Sequence, residues 1–246
     1  MPYRPRSTDV WFNAPGVVAA YQPVAAPNSL LARVNQENGG RLAGKHTATI
    51  GVAPNWLSAL GFVFTGSEYL VTNVAGNAST PTVLVQFTAS NVALAGLVGA
   101  STNWGLQHDF YGGRRYINGG SYYLAGGYVL AGNMAFSGAT AYLNGIYDAA
   151  IPTGSYNNNN LIHIGSDSTG VFLTGTIRAI VFASVVWSAS QVAAYSRQMA
   201  YCHVNPDWSA WGRRRRYYYA PSAAAGLAFS PVGSGVIGSS VVRRVV

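Results

Sequence analysis

The sequence predicts an all-β protein: a two-sheet antiparallel jelly-roll sandwich with one short C-terminal helix and extended terminal arms. Three observations carry that expectation. Short apolar stretches recur between Gly, Asn and Ser punctuation along most of the chain, as strands separated by turns do. Asn144-Gly145 stands between the apolar flanks Tyr142-Leu143 and Ile146-Tyr147, and offers the positive φ angles of a two-residue type I′ hairpin turn. A single helix start is written clearly, Ser188 followed three residues later by Gln191, the pattern of a capping box.

Taken in order, residues 1 to 16 hold three prolines and no periodicity, which predicts an extended N-terminal arm. Val17 to Tyr21 is the first strand. Asn28 to Gly51 reads as an irregular connection with one helical turn at Leu30 to Val34. Trp56 to Leu70 reads as a hairpin, with Phe62-Val63-Phe64 before the turn Thr65-Gly66-Ser67 and Glu68-Tyr69-Leu70-Val71 after it. Strands follow at Thr82 to Thr88, Val92 to Gly99, Gly105 to Phe110, Arg114 to Asn118, Ser121 to Leu124 and Tyr128 to Met134. The Asn144-Gly145 hairpin comes next, then a polar loop over Ser155 to Asn160, whose four consecutive Asn tolerate left-handed backbone. Leu161 to Gly165 and Leu173 to Phe182 are the last strands, with Gly175 set for a bulge or a close backbone approach. The helix runs from about 188 to 199. From Trp208 the composition turns to Arg, Tyr, Gly, Ala and Val, so the domain is bounded at 17–212 and an Arg/Tyr-rich tail at 213–246.

Composition narrows the classes of function. At 246 residues and 49% hydrophobic content the chain can bury one large core. Only 9% of its residues are charged, against about a quarter in ordinary domains, so much of its surface is expected to be covered by other subunits rather than by water. The bland alternative is a monomer with a Ser/Thr/Asn surface. The net charge of +8 comes from fourteen Arg and one Lys against seven acids, and Arg is the cation favoured at packed interfaces. The single cysteine, Cys202, excludes an intramolecular disulfide and reads as a small buried hydrophobe. The opening residues carry no apolar segment behind their basic ones, so no secretory signal is expected, and no stretch is long and apolar enough for a membrane span.

The motifs for chemistry are sparse. Glycan hydrolysis needs two carboxylates flanking the bond, about 5 to 9 Å apart. The acids here, Asp9, Glu37, Glu68, Asp109, Asp148, Asp167 and Asp207, never fall within four positions of one another. No enzyme activity and no catalytic residues are expected. His46, His108, His163 and His203 lack ligand spacing, so neither a metal site nor a cofactor is expected. Arg213, Arg214, Arg215 and Arg216 followed by Tyr217, Tyr218 and Tyr219 form the most pointed motif: a docking segment for a protein surface, in preference to nucleic acid, because the rest of the chain shows no concentrated basic surface. Trp104, Tyr111, Tyr116, Tyr122 and Tyr123 lie among Gly-rich turns and are the candidates for an exposed glycan or subunit surface, whereas Trp56 and Trp187 read as core.

The succession Asn144-Gly145, Ile164-Gly165, Gly175-Thr176-Ile177 through Phe182, then Ser188 to Gln191 resembles the closing segment of laminin-G-like and concanavalin A-like jelly rolls. Upstream, Ala19-Ala20-Tyr21, Trp56, Phe64-Thr-Gly-Ser-Glu-Tyr-Leu70 and Val83 to Phe87 are similar to the early strands of versions found in tailed-bacteriophage structural proteins, so the likeness covers roughly residues 17 to 201. The resemblance implies a virion structural protein, a capsid decoration, cement or head-fibre accessory made in the host cytoplasm. Its partners would be other virion proteins and further copies of itself, met through the terminal arms. It also implies an alternative, a lectin-like module binding host surface glycans, and a weak calcium site at Asp167 or at Asp148 with Asn157 to Asn160.

Overall fold

The computed structural model describes residues 11–24, 26, 29–33, 46–89, 95–101, 103–108, 112–119, 121–152 and 159–204, without the side chains at 31, 121, 122 and 201–204. The chain divides into two units, Met1–Asp207 and Trp208–Val246. The described residues all belong to the first.

Its elements are β1 (Val17–Tyr21), α1 (Ser29–Ala32), β2 (Thr49–Val52), β3 (Asn55–Leu57), β4 (Gly61–Thr65), β5 (Tyr69–Ala75), β6 (Thr82–Ala89) and β7 (Ala95–Gly99). They continue with β8 (Trp104–His108), β9 (Arg114–Asn118), β10 (Ser121–Ala125), β11 (Ala131–Ser137), β12 (Thr140–Leu143), β13 (Ile146–Ala150), β14 (Leu161–Ile164), β15 (Thr174–Ala183) and α2 (Ala189–Val204). An eight-stranded sheet runs β13-β12-β11-β6-β15-β4-β3 with β1 also on β15, and a seven-stranded sheet runs β10-β9-β8-β7-β14-β5-β2. All ladders are antiparallel, so the predicted two-sheet sandwich with one C-terminal helix is the fold observed.

Alternation decides which side chains fill the space between the sheets. Val83, Val85 and Phe87 of β6, Ile180 and Phe182 of β15, Trp104 and Leu106 of β8 and Ile162 and Ile164 of β14 are buried there. Trp104 meets Phe136 edge-on at 5.3 Å, and its indole Nε1 donates to the Thr80 carbonyl at 3.1 Å, which satisfies the one polar atom that this ring carries inward. The opposite face of the eight-stranded sheet is covered by α2, whose Val192, Tyr195 and Met199 are buried. Its start is the predicted capping box: the Gln191 amide donates to Ser188 Oγ at 3.3 Å and the Ser188 amide to Gln191 Oε1 at 2.9 Å. The helix extends past the predicted end, to Val204.

The Asn144-Gly145 turn forms as predicted, with φ of 53° and 78°. Asn144 does more than turn, since its Oδ1 accepts from the Asn133 amide at 2.8 Å and so locks the hairpin onto β11.

Two expectations need correcting. The residues 62 to 71 do not form a hairpin: β4 lies in the eight-stranded sheet and β5 in the other, and the true hairpin is β3 with β4. The reason is Glu68, whose carboxylate accepts from the Thr65 amide at 2.6 Å, the Thr65 hydroxyl at 2.5 Å and the Ser67 amide at 3.2 Å, folding a corner that carries the chain between sheets. Nor do residues 11 to 16 form a free arm. Trp11 and Phe12 are buried in a 3-10 turn, the Trp11 amide donates to Gln198 Oε1, and the Pro15 carbonyl accepts from Trp187 Nε1. Apolar area outweighs the prolines there.

Candidate functional site

On the seven-stranded sheet, Leu70, Thr72 and Val74 of β5 and Ile162 and Ile164 of β14 turn inward, which leaves Tyr69, Val71, Asn73, Leu161 and His163 on the outer face. Thr49, Val71, His163 and Gly99 follow one another across four strands of this face as ladder partners. Tyr69 stacks on His163 with ring centroids 4.8 Å apart and planes 11° from parallel, and Phe172 stands tilted against Tyr69 at 6.2 Å. The Tyr69 ring can lie so close to the sheet because β2 offers it Gly51: a Cβ there would fall 2.1 Å from Tyr69 Cε2. All three rings are half-buried, presenting part of their area to solvent. Burial pushes the His163 imidazole below its ordinary pKa, against the pull of the Asp167 charge, so the stack is uncharged near neutral pH.

The wall beside the stack is the segment from Gly165 to Leu173. It crosses the sheet over Gly96 and Gly99, where a Cβ would fall 2.5 Å from the Asp167 amide nitrogen and 2.6 Å from Asp167 Cα. Asp167 holds the segment in shape: its Oδ1 accepts from the Thr169 and Val171 amides at 2.8 and 3.0 Å, and its Oδ2 from the Thr169 hydroxyl at 2.7 Å. Ser168 Oγ accepts from the Ser101 amide and pins the wall to the end of β7. An uncharged aromatic stack flanked by the hydroxyl of Thr49 and the amide of Asn73 can cover the apolar face of a sugar ring and meet its hydroxyls.

The predicted site residues fall elsewhere. Trp104 and Tyr116, expected on the surface, are both 0% exposed: they face the space between the sheets, and the Gly-rich turns around them leave the strands themselves to bury the rings. Tyr123 is 43% exposed and stands on edge strand β10, away from the Tyr69 stack. Tyr122 lies on β10 with its side chain outside the description, and Tyr111, Arg213, Arg214, Arg215, Arg216, Tyr217, Tyr218 and Tyr219 lie outside the described residues. The two acids considered for calcium are engaged by their own chain. Asp167 shapes its turn, and Asp148 takes a bidentate bond from Arg114, Nε to Oδ2 at 3.1 Å and Nη2 to Oδ1 at 2.9 Å, with the Tyr116 hydroxyl on Oδ2 at 2.7 Å. Burial works against the Arg114 charge, but the Asp148 bonds hold it above the ordinary value. Among the described residues no group of three His, Cys, Asp or Glu could hold a metal ion. Nothing in the sequence pairs Tyr69 with His163, since the two rings meet only through the β5–β14 ladder.

No protein-family model matches this chain, and no curated protein matches it in sequence. Solved structures do share the fold. The sialidase of Trypanosoma rangeli in complex with sialic acid is 15% identical over 78% of this chain and 34% of that one, with a TM-score of 0.57. The same enzyme in a second structure gives a TM-score of 0.54 at the same identity and coverage. The botulinum neurotoxin serotype D binding domain is 11% identical over 76% of this chain and 52% of that one, with a TM-score of 0.53. The chain thus spans 34% of the sialidases' length, and at these identities what it shares with all of them is the β-sandwich.

Proposed function

We propose that this chain is a non-catalytic glycan-binding module that works through the outer face of its seven-stranded sheet. The observation that carries the reading is the Tyr69–His163 stack with Phe172 at its side, a half-exposed aromatic platform held flat on the sheet by Gly51. Aromatic faces bind the C–H side of a pyranose by dispersion and desolvation, and the polar neighbours then select among hydroxyls. That one structure sharing the fold is a sialidase in complex with sialic acid supports a sugar-facing role. The similarity of Phe64 to Leu70 and Val83 to Phe87 to early strands of tailed-bacteriophage structural proteins supports the finer reading that the module serves host adhesion on a virion. Hydrolysis is not part of the proposal, because Glu68, Asp148 and Asp167, the described acids, each spend their oxygens on their own chain.

The test is a glycan array with the full chain, followed by calorimetry on the best ligands with the wild type and with Tyr69→Ala. Binding that falls at least about tenfold in the variant, a loss of about 1.4 kcal/mol, supports the reading. An empty array, or a ligand held equally well by Tyr69→Ala, refutes it.

A further inference from the structure

His108 ends β8 on the core side of the sheet, in line with Trp104 and Leu106, and its side chain is fully buried. Phe87 of β6 meets its ring edge-on at 5.5 Å and Tyr128 lies tilted against it at 5.9 Å. Neither Nδ1 nor Nε2 has a hydrogen-bond partner among the described residues. A neutral imidazole carries one donor and one acceptor, and leaving both unmet in the interior is costly.

Its ladder partner on β9 is Arg114, on the same face of the sheet. That guanidinium donates to the Gly127 carbonyl and forks onto Asp148 of β13, forming an ion pair that joins the two sheets where their edge strands β10 and β13 come together. A titratable imidazole, a fixed cation and the carboxylate that ties the sheets therefore stand side by side at one edge of the sandwich. The groups that face His108 are Arg114 from β9, Tyr128 from the β10–β11 connection, and the non-titrating Phe87 from β6 and Ala95 from β7, with Asp148 of β13 and the Tyr116 hydroxyl beyond Arg114.

We propose that this layer is an acid-sensitive latch: a proton taken up by His108 sets a second positive charge beside Arg114, and the edge formed by β8, β9 and β10 swings away from β13 while the rest of the sandwich stays closed. Burial first, and the Arg114 charge second, hold the closed-state imidazole down to about 4 from its ordinary 6.5. A depressed histidine contributes its full share of closed-state stability above 6.5 and loses it progressively as pH falls towards about 4, with no further loss below. Opening is confined to this edge because β10, β9 and β8 are the last three strands of their sheet, so releasing them leaves the ladders of β14, β5 and β2 intact.

Hydrogen exchange on the full chain between pH 7 and 4.5, corrected for intrinsic rates, reads the latch directly. Protection in β8 to β10 should fall by up to about tenfold per pH unit through the middle of that window, the dependence expected for one extra proton in the open state, while β5 and β14 keep theirs. His108→Leu should abolish the fall. Equal loss in all strands, or an unchanged fall in His108→Leu, overturns the proposal. If His108→Leu does not fold, histidine NMR of the wild type decides: an imidazole that titrates near 4 supports the latch, and one that titrates near 6.5 overturns it.

Discussion

Replacing Asp148 by Ala should cost the folded domain about 3 kcal/mol, because removing one partner of a buried ion pair leaves the other charged and poorly solvated, at about 3 to 5 kcal/mol in general. The lower end applies here, since the Arg114 and Asp148 side chains keep 9% and 13% of their area accessible. Arg114 Nε and Nη2 lose their acceptor at once, and the Tyr116 hydroxyl keeps only the Tyr142 carbonyl at 3.4 Å. For a domain of this size the loss should appear as a fall in Tm of roughly 6 to 12 °C. A double-mutant cycle separates the pair from its surroundings. Arg114→Met alone should be comparably destabilising, because it strands the carboxylate, but Arg114→Met with Asp148→Ala should recover about 1 to 3 kcal/mol of the summed cost. Urea unfolding at pH 7, in low and high salt, measures all four proteins. Single losses below about 1 kcal/mol, with strict additivity and a strong salt dependence, would mean that the pair behaves as a surface contact, and the account of this edge would be wrong.

Other outcomes are equally open to measurement. Gly99→Val should misplace the 165–173 wall, since its Cβ would meet Asp167 Cα at 2.6 Å, so overpacking by about 1 to 3 kcal/mol and loss of glycan binding should appear together in melting and calorimetry. Tyr69→Ala should instead lose binding while unfolding within about 2 kcal/mol of the wild type, because its ring lies half-exposed on the sheet rather than in the core. Ser188→Ala removes the acceptor for the Gln191 amide and should cost about 1 kcal/mol in the same assay. For Glu68, slight burial raises the pKa and the bonds from Thr65 and Ser67 lower it further, to about 2 from 4.5. Stability from this corner is therefore full above 4.5 and lost as pH falls through 2, and Glu68→Gln should flatten the acid limb of the stability curve over that window.

Local chemistry made much of the fold legible, and the site much less so. Asn144-Gly145 and the Ser188–Gln191 box are readable because each is a contract between neighbouring residues, satisfied whatever the rest of the chain does. The Thr65 to Glu68 corner is not legible in the same way, because turn residues announce a change of direction without saying which sheet receives the next strand. Only the reach of the Glu68 carboxylate back to Thr65 distinguishes the two outcomes. Abundant glycine around Trp104 and Tyr116 suggests surface, yet both rings are buried. In this sheet glycine instead allows close approach, as Gly105 does against the Val98 carbonyl, which a Cβ would reach at 2.5 Å. Tyr69 and His163 meet through a ladder between distant segments, and no local pattern encodes such a pairing.

The place of β15 in the eight-stranded sheet governs how the protein is made. β15 pairs with β6, β4 and β1, so it completes a sheet whose other members were synthesised long before it. Until residue 183 leaves the ribosome, β6 has lost its principal neighbour and β1 has none at all among the named strands. With only β11 beside them, Val83, Leu84, Val85 and Phe87 must then wait on an open apolar sheet edge, the kind that recruits holding chaperones or adheres to other nascent chains. Contacts so distant in sequence also make closure slow once the strand arrives. Yield during expression should thus depend on translation past β15 more than on the final stability of the sandwich, and slowing the ribosome just before Thr174 should lower it.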